Sequence, residues 1–336
     1  MASPAVVPGY NKQLSTGSEL NFSPDDPVPS LPYEVVADIF QYVPPVQIIT
    51  VCRLVSKTWK SFIDDPQFWQ FGLRKCQNFT PKLIDIPSQN IDWPKLYLNT
   101  ACGPNLIRNS VSGEFSLEPP WTISYSSWKK FSNKYGLSKV AVRKRQRHSS
   151  SSSSESEDDE SDESDADDDQ LSSWGGGNKW SIQSGCIKPE HLHYEQIVKE
   201  NGNSAKNYVT SYEWCCRQQV IELSHHGFSD SVMDTVQPLI SVSEWYCARF
   251  DCGSIFCIRV ELLSSEKKVI VLYEDSVETD QWQGGELGWR RVEHEFKDYG
   301  SGVRFVRFSD GGKDTQWWAG HYGSKMAGAR LIVSLK

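Results

Sequence analysis

The residues with the most chemistry to offer stand together near the end of the chain, in Asp314-Thr315-Gln316-Trp317-Trp318-Ala319-Gly320-His321-Tyr322-Gly323. Two indoles, an imidazole and a phenol crowd a segment flanked by Gly311-Gly312 and interrupted by Gly320 and Gly323, which reads as a loop beside a glycine turn, between two strands. Rings on such a loop cover a wide area at little entropic cost. Their faces stack on the C–H face of a sugar, whose hydroxyls are then taken by Asp, Lys, Asn or backbone groups. Neighbouring residues of a strand face opposite ways, so one ring of the Trp317-Trp318 pair is expected in the core and the other outside. Covalent and metal chemistry find less support. His225-His226 and Cys215-Cys216 are adjacent, and Cys247, Cys252 and Cys257 are five apart, whereas a closed tetrahedral zinc site draws on C-x2-C or H-x3-5-H spacing. The chain has no Gly-x-Ser-x-Gly, phosphate-loop or dinucleotide-binding glycine pattern, and nothing sets one cysteine apart as a nucleophile. The expectation is no catalytic residue, no metal and no cofactor.

Two kinds of element must position these rings. From Leu31-Pro32 onward, Val36, Ile39, Phe40 and Val43 recur at helical spacing, and Pro44-Pro45 ends that helix. A short helix from Val46 leads to a third with Val55, Trp59, Phe62 and Ile63 on one face, and Asp65-Pro66 starts a fourth holding Phe68, Trp69 and Leu73. This stretch has more large apolar side chains than so short a run can bury internally, which predicts an exposed partner surface. Residues 76–104 keep enough apolar side chains for a structured connector, with Trp93-Pro94 opening another helix. From about Asn105 the texture is of short strands, at 219–223, 239–250, 254–263, 268–274, 290–296, 303–308 and 329–335, with turns between them. The fold class is α+β and multidomain: an N-terminal helical module, a helical connector and a C-terminal antiparallel β-sandwich.

The 336 residues carry a net charge of −8, and the stretch from Arg143 to Asp169, with its four basic and eleven acidic residues, accounts for nearly all of it. The rest is close to neutral, which argues against nucleic acid as a partner. No apolar run reaches the length of a membrane span, and the first residues lack the pattern of a signal peptide, so the expected location is cytoplasmic, without membrane insertion. Nine scattered cysteines then fit reduced thiols better than a disulfide framework. Residues 1–29 read as a flexible arm and about 143–172 as a disordered basic and acidic, serine-rich insertion.

The N-terminal pattern resembles the F-box: Leu31-Pro32, Ile39-Phe40 and Cys52-Arg53-x-Val55-Ser56-Lys57-x-Trp59. The resemblance implies a three-helix module over 30–75 that docks a Skp-family adaptor, and through it a cullin scaffold, by way of Leu31, Pro32, Val36, Ile39, Phe40, Val55 and Trp59. The segment from 105 to 336 resembles the F-box-associated domain of the sugar-binding F-box proteins. The matching residues are Asn105-Leu106-Ile107-Arg108-Asn109, Tyr212-Glu213-Trp214-Cys215, Gln219-Val220-Ile221-Glu222-Leu223, Ser243-Glu244-Trp245-Tyr246, Asp298-Tyr299-Gly300-x-Gly302-Val303-Arg304-Phe305-Val306 and Asp314-Thr315-Gln316-x-Trp318-Ala319-Gly320. That resemblance implies a jelly-roll-like, galactose-binding-like sandwich whose end loops hold the chitobiose core of high-mannose N-glycans on misfolded glycoproteins bound for ER-associated degradation. On it, the glycan-binding residues are Trp317, Trp318, Ala319 and an aromatic of the 207–212 segment, with Tyr208 favoured and Tyr212 in reserve. The chain departs from the family pattern at Trp317, where a Tyr is expected, and at His321, where a Trp is expected. The implied role is that of a non-catalytic substrate-recognition subunit of a ubiquitin ligase. Two alternatives stand beside it: an F-box receptor for a protein surface, and a ligase-independent cytosolic lectin or chaperone.

Overall fold

The computed structural model describes residues 31–101, 103–107, 181–182, 187–192, 194–201 and 206–335. The arm at 1–29 and the insertion at about 143–172 lie outside them, as do Arg108 and Asn109 of the first matching segment.

The N-terminal module is built from α1 (Tyr33–Phe40), α2 (Pro45–Thr50), a 3-10 turn at Cys52–Leu54, α3 (Lys57–Asp64) and α4 (Pro66–Lys75). Each boundary has a local cause. Ser56 caps α3 by accepting the Trp59 N–H at 3.1 Å, and Asp65 caps α4 by accepting that of Gln67 at 2.9 Å, with Pro66 in the first turn where its missing N–H costs nothing. Pro45 both closes the first segment and opens α2, one residue earlier than the sequence pattern places it. The helices meet over an aromatic knot in which Phe40 packs edge-on to Trp59 at 5.0 Å and to Phe68 at 5.8 Å, while Phe68 packs edge-on to Trp69 at 4.8 Å. The Trp69 indole N–H, buried with its ring, donates to the Ile63 carbonyl at 2.7 Å. The connector carries two 3-10 turns and α5 (Trp93–Ala101), structured as its apolar content predicts. No single helix among the described residues is long and apolar enough to cross a membrane.

Ten strands follow among the described residues: β1 (Ser181–Ile182), β2 (Ile187–His191), β3 (Lys206–Thr210), β4 (Cys215–Glu222), β5 (Leu239–Cys247), β6 (Ser254–Leu263), β7 (Val269–Thr279), β8 (Arg290–Phe296), β9 (Phe305–Asp314) and β10 (Lys325–Ser334). Helices α6 (Glu195–Asn201), α7 (Asp230–Thr235) and α8 (Gly284–Leu287) interrupt them. The strands form two five-stranded antiparallel sheets, ordered β1-β4-β9-β6-β7 and β2-β3-β10-β5-β8. Strands β6 and β8 fall where the sequence places short strands, at 254–263 and 290–296, although β6 is buried on both faces. The sequence reading missed β3 because Asn207, Tyr208, Val209 and Thr210 are all buried, and a strand covered on both faces has no alternation to read. Gly311-Gly312, expected as a turn, instead lies inside β9. A side chain at Gly311 would overlap the Cys215 carbonyl of β4, and one at Gly312 the Ile255 carbonyl of β6, so these glycines let β9 run between its neighbours.

Between the sheets sits a buried charge cluster. Arg217 on β4 grips its register partner Asp310 on β9 through Nε at 2.7 Å and Nη2 at 2.6 Å, and reaches across to Glu244 on β5 at 3.0 Å. All three are fully buried, so their polar groups must be answered inside the protein, and the cluster ties one sheet to the other. Burial first, then the charge of Asp310 and a hydrogen bond to it, hold the Glu244 carboxyl well above the ordinary glutamate range.

The helical module and the sandwich share one apolar core, in which Leu73, Leu96 and Tyr97 join Ile221, Leu223, Phe228 and Val232. Their joint depends on Gly227, whose φ of +85° and lack of a side chain let the turn after β4 press on the α5 backbone at Lys95 and Leu96. This joint lies beyond the Glu222 end of β4. The aromatic loops lie beyond its Cys215 end, roughly 25 Å away at about 3.3 Å per residue. Cys216 and Cys257 are buried, and burial pushes each thiol up to about 12, as suits inert core sulfurs. The expectation of reduced thiols is corrected at Cys215, which is disulfide-bonded.

Candidate functional site

Loops 211–214, 248–253 and 315–324, with the segment 280–289, gather at one end of the sandwich. Thr210 N donates to Ser324 O at 3.0 Å and Asp314 N to Ser211 O at 3.0 Å, which fastens the 315–324 loop to the 211–214 loop. On its other side, Thr315 N donates to Gly253 O at 3.0 Å while Gly253 N donates to Gln316 Oε1 at 2.8 Å. Gly253 has no room for a side chain, because Thr315 and the backbone of Thr279 and Gln281 close around it. Gly284 is likewise pressed on the Arg249 carbonyl. The four segments therefore form one continuous rim.

Trp317 stands out of this rim at 67% exposure. Its φ is +60°, a conformation that bulky residues rarely adopt, and it is held there by Asp314, whose Oδ1 accepts the Trp317 N–H at 2.6 Å. The Lys313 ammonium lies 5.2 Å from the Trp317 ring and 5.2 Å from that of Trp214, so a cation braces the indole from beside the strand. Trp318 turns inward and is half-buried, edge-on to Tyr322 at 5.5 Å, and the Arg249 guanidinium covers Tyr322 at 4.9 Å. The expectation of one ring outside and one in the core holds for Trp317 alone: Trp318 is half-buried against Tyr322 and outside the core, and both sit in the loop and not on a strand. Ala319 is exposed beside them.

Tyr208 requires correction as a ligand contact. It lies on β3 at 1% exposure, with the Arg217 guanidinium over its face at 4.3 Å, so it completes the buried cluster between the sheets and meets nothing from outside. Tyr212, at the tip of the 211–214 loop, is the exposed aromatic of that segment. The structure adds Phe250, Trp282, Arg249 and Asp251 to the rim. Their sequence signal was an aromatic set among polar and glycine residues between two strands, as in Arg249-Phe250-Asp251-Cys252-Gly253. The rim can stack on a ring and offer a few polar groups. Among the described residues no group of three or more His, Cys, Asp or Glu side chains is placed to hold a metal ion.

At the helical end, Ile39 and Val55 are exposed, Pro32 is exposed ahead of α1, and Leu31, Val36 and Trp59 are half-buried. Phe40 is corrected: it belongs to the core, under Trp59 and Phe62, and has no surface to present. The outward apolar surface is completed by Val35, Tyr42, Val46, Val51 and Leu54, which the helical periodicity did not single out. An F-box domain model matches residues 28–71, and an F-box associated region model matches residues 97–333, well over half of the chain. The chain belongs to the F-box-associated family. Among its relatives, F-box only protein 6 of Rattus norvegicus is 29% identical over 307 residues, 90% of this chain and 86% of the relative. F-box only protein 2 of Bos taurus is 27% identical over 306 residues, 90% of this chain and 82% of the relative. A carbohydrate-binding module solved in complex with beta-1,4-galactotriose overlaps 46% of this chain and 88% of its own, at 14% identity and a TM-score of 0.30.

Proposed function

We propose that this F-box protein is the substrate-recognition subunit of a Skp-cullin-F-box ubiquitin ligase, and that its end loops hold the chitobiose core of N-glycans on misfolded glycoproteins bound for ER-associated degradation. The observation that carries the ligand half is Trp317, a bare indole kept out of the core at the cost of a strained backbone. Such a ring has a use if a sugar covers it. Tyr212, exposed on the neighbouring loop, offers a second aromatic contact, and the Lys313 ammonium, 5.2 Å from the Trp317 ring, offers a donor for hydroxyls. The ligase half is supported by the exposed apolar face of the helical module, which suits a Skp-family adaptor and through it the cullin scaffold. The chain itself then performs no bond chemistry. Its joint at Gly227 keeps the two ends a set distance apart, so that a bound substrate is presented to the ligase and the gain is one of proximity.

The test is titration of diacetylchitobiose into the full chain and into Trp317→Ala and Tyr212→Ala variants. Loss of a stacking contact of about 1–3 kcal/mol predicts roughly 5- to 150-fold weaker binding for Trp317→Ala, with an unchanged circular dichroism spectrum. Wild-type affinity in both variants, or no binding by the wild type, refutes the glycan reading.

A further inference from the structure

The outer strands of the two sheets are not protected alike. An open strand edge presents a row of backbone N–H and C=O groups that pair with any extended chain, and proteins block such edges with short strands, prolines or charges. Among the described residues, β1 spans two residues, β2 carries Pro189 between Lys188 and Glu190, and β8 carries Arg290, Arg291, Glu293 and Glu295. The remaining edge, β7, is long, has no proline or lysine, and bears only acidic charges, at Glu274, Asp275 and Glu278. After a bulge at Ile270 it keeps unbroken register with β6 from Val271 to Thr279, and among the described residues its other side has no backbone partner.

The side chains select which extended chain fits. On the outer face of this sheet a ladder of alternating charge crosses three strands: Arg307 of β9 donates to Glu261 of β6 at 3.0 Å, Arg259 of β6 donates to Glu261 at 2.7 Å, and Arg259 lies 2.8 Å from Glu274 of β7. The ladder stops on an acid at the open edge. Burial, and then the charge of Glu261, hold the Glu274 carboxyl above the ordinary glutamate range despite Arg259, so a cation on its open side would be stabilising. Glu278 follows four residues on, on the same face, exposed and without an ion pair among the described residues. Val269 and Ile270, exposed at the bulge, offer an apolar contact at the end of the strand.

We infer that β7 is a docking edge for an extended segment of a partner protein, which adds as a sixth strand and continues the ladder with lysine or arginine at two positions four apart, opposite Glu274 and Glu278. The open backbone requires an extended polypeptide, and the acids require a basic one. A second copy of this chain is the wrong occupant. Pairing the whole of β7 antiparallel with itself sets Glu274 opposite Glu274. The edge lies apart from Trp317 and from the helical module, so the inference rests on neither half of the proposed function.

The test titrates the full chain and a Glu278→Lys variant with three fluorescein-labelled peptides. The first alternates threonine and valine and carries two lysines four apart, the second has glutamate at both lysine positions, and the third is the lysine peptide with its backbone amides N-methylated, so that it cannot pair as a strand. Glu278 is exposed and engages no other side chain among the described residues, so the variant should keep the wild-type circular dichroism spectrum. Wild type is expected to bind the glutamate peptide at least about fourfold more weakly than the lysine peptide, and the methylated peptide not at all. Glu278→Lys should weaken the lysine peptide and strengthen the glutamate peptide, each at least about twofold. In the lysine-peptide complex, hydrogen exchange of amides between Val271 and Thr279 should slow. No binding of the lysine peptide at about 1 mM, equal binding of the methylated peptide, or unchanged exchange along β7 overturns the strand addition. Equal affinity for the two charged peptides, or indifference of both to Glu278→Lys, overturns the charge match. A wild-type chain that sediments as a dimer, and as a monomer once Glu278→Lys is introduced, assigns the edge to a second copy and overturns the proposal as well.

Discussion

Leu54 offers the sharpest test of how the helical end meets its adaptor. It sits at the end of the Cys52–Leu54 turn, 80% exposed, among Val51, Val55, Val46 and Ile39. Burying a leucine side chain completely is worth about 1.5–3 kcal/mol. A partner covering the four-fifths of Leu54 that now faces water would gain up to roughly 1.2–2.4 kcal/mol from it, or about 8- to 60-fold in affinity. Leu54→Ser should therefore weaken binding of a purified Skp-family adaptor by that factor, read by calorimetry. Its melting temperature should hold, because nothing in the folded chain rests on the removed side chain. Phe40→Ala is the contrast: its ring packs against Trp59, Phe62 and Phe68, so its removal should cost about 3–5 kcal/mol of stability, visible in a urea melt. Adaptor affinity of Leu54→Ser within about twofold of wild type would refute the docking surface drawn here, and a large fall in its melting temperature would refute the reasoning from exposure.

Glu244 gives a pH test. Its folded-state pKa is raised, so the folded protein keeps a proton that the unfolded chain releases above the ordinary glutamate range; stability is full below that range and falls as pH rises toward the folded value. Glu244→Gln keeps the neutral form at every pH, so as pH rises above the ordinary glutamate range its melting temperature should fall less than that of wild type, and parallel curves would contradict the assignment. At the joint, Gly227→Ala forces a side chain into the α5 backbone at a positive φ and should destabilise the protein by at least about 2 kcal/mol in a urea melt, with an unchanged midpoint refuting the close approach.

Much of this architecture was legible in the chain because it rests on local chemistry. Ser56, Asp65 and Pro66 start their helices by contacts within three residues, and β6 and β8 stand out as short apolar runs between turn residues. The aromatic loop was visible as a concentration of rings beside glycines, and the motif spacing carried the family. What the sequence could not settle was which side of the protein a residue ends on. Tyr208 and Tyr212 are alike in composition and four apart, yet one stacks under Arg217 between the sheets and the other tips a loop, a difference made by the pairing of β3 with β10 and by partners far along the chain. Phe40 and Ile39 divide in the same way, because the packing of α3 and α4 decides which face of α1 is covered. The buried Arg217, Asp310 and Glu244 come from three separated strands, and nothing local to any of them foretells the others. The rim of Trp317, Phe250 and Trp282 is also a tertiary product, since it takes the closed hydrogen bonds of Gly253 and the bare backbone of Gly284 to bring four distant loops to one end. Periodicity reports the environment of a segment one element at a time, and burial and convergence are properties of how the elements meet.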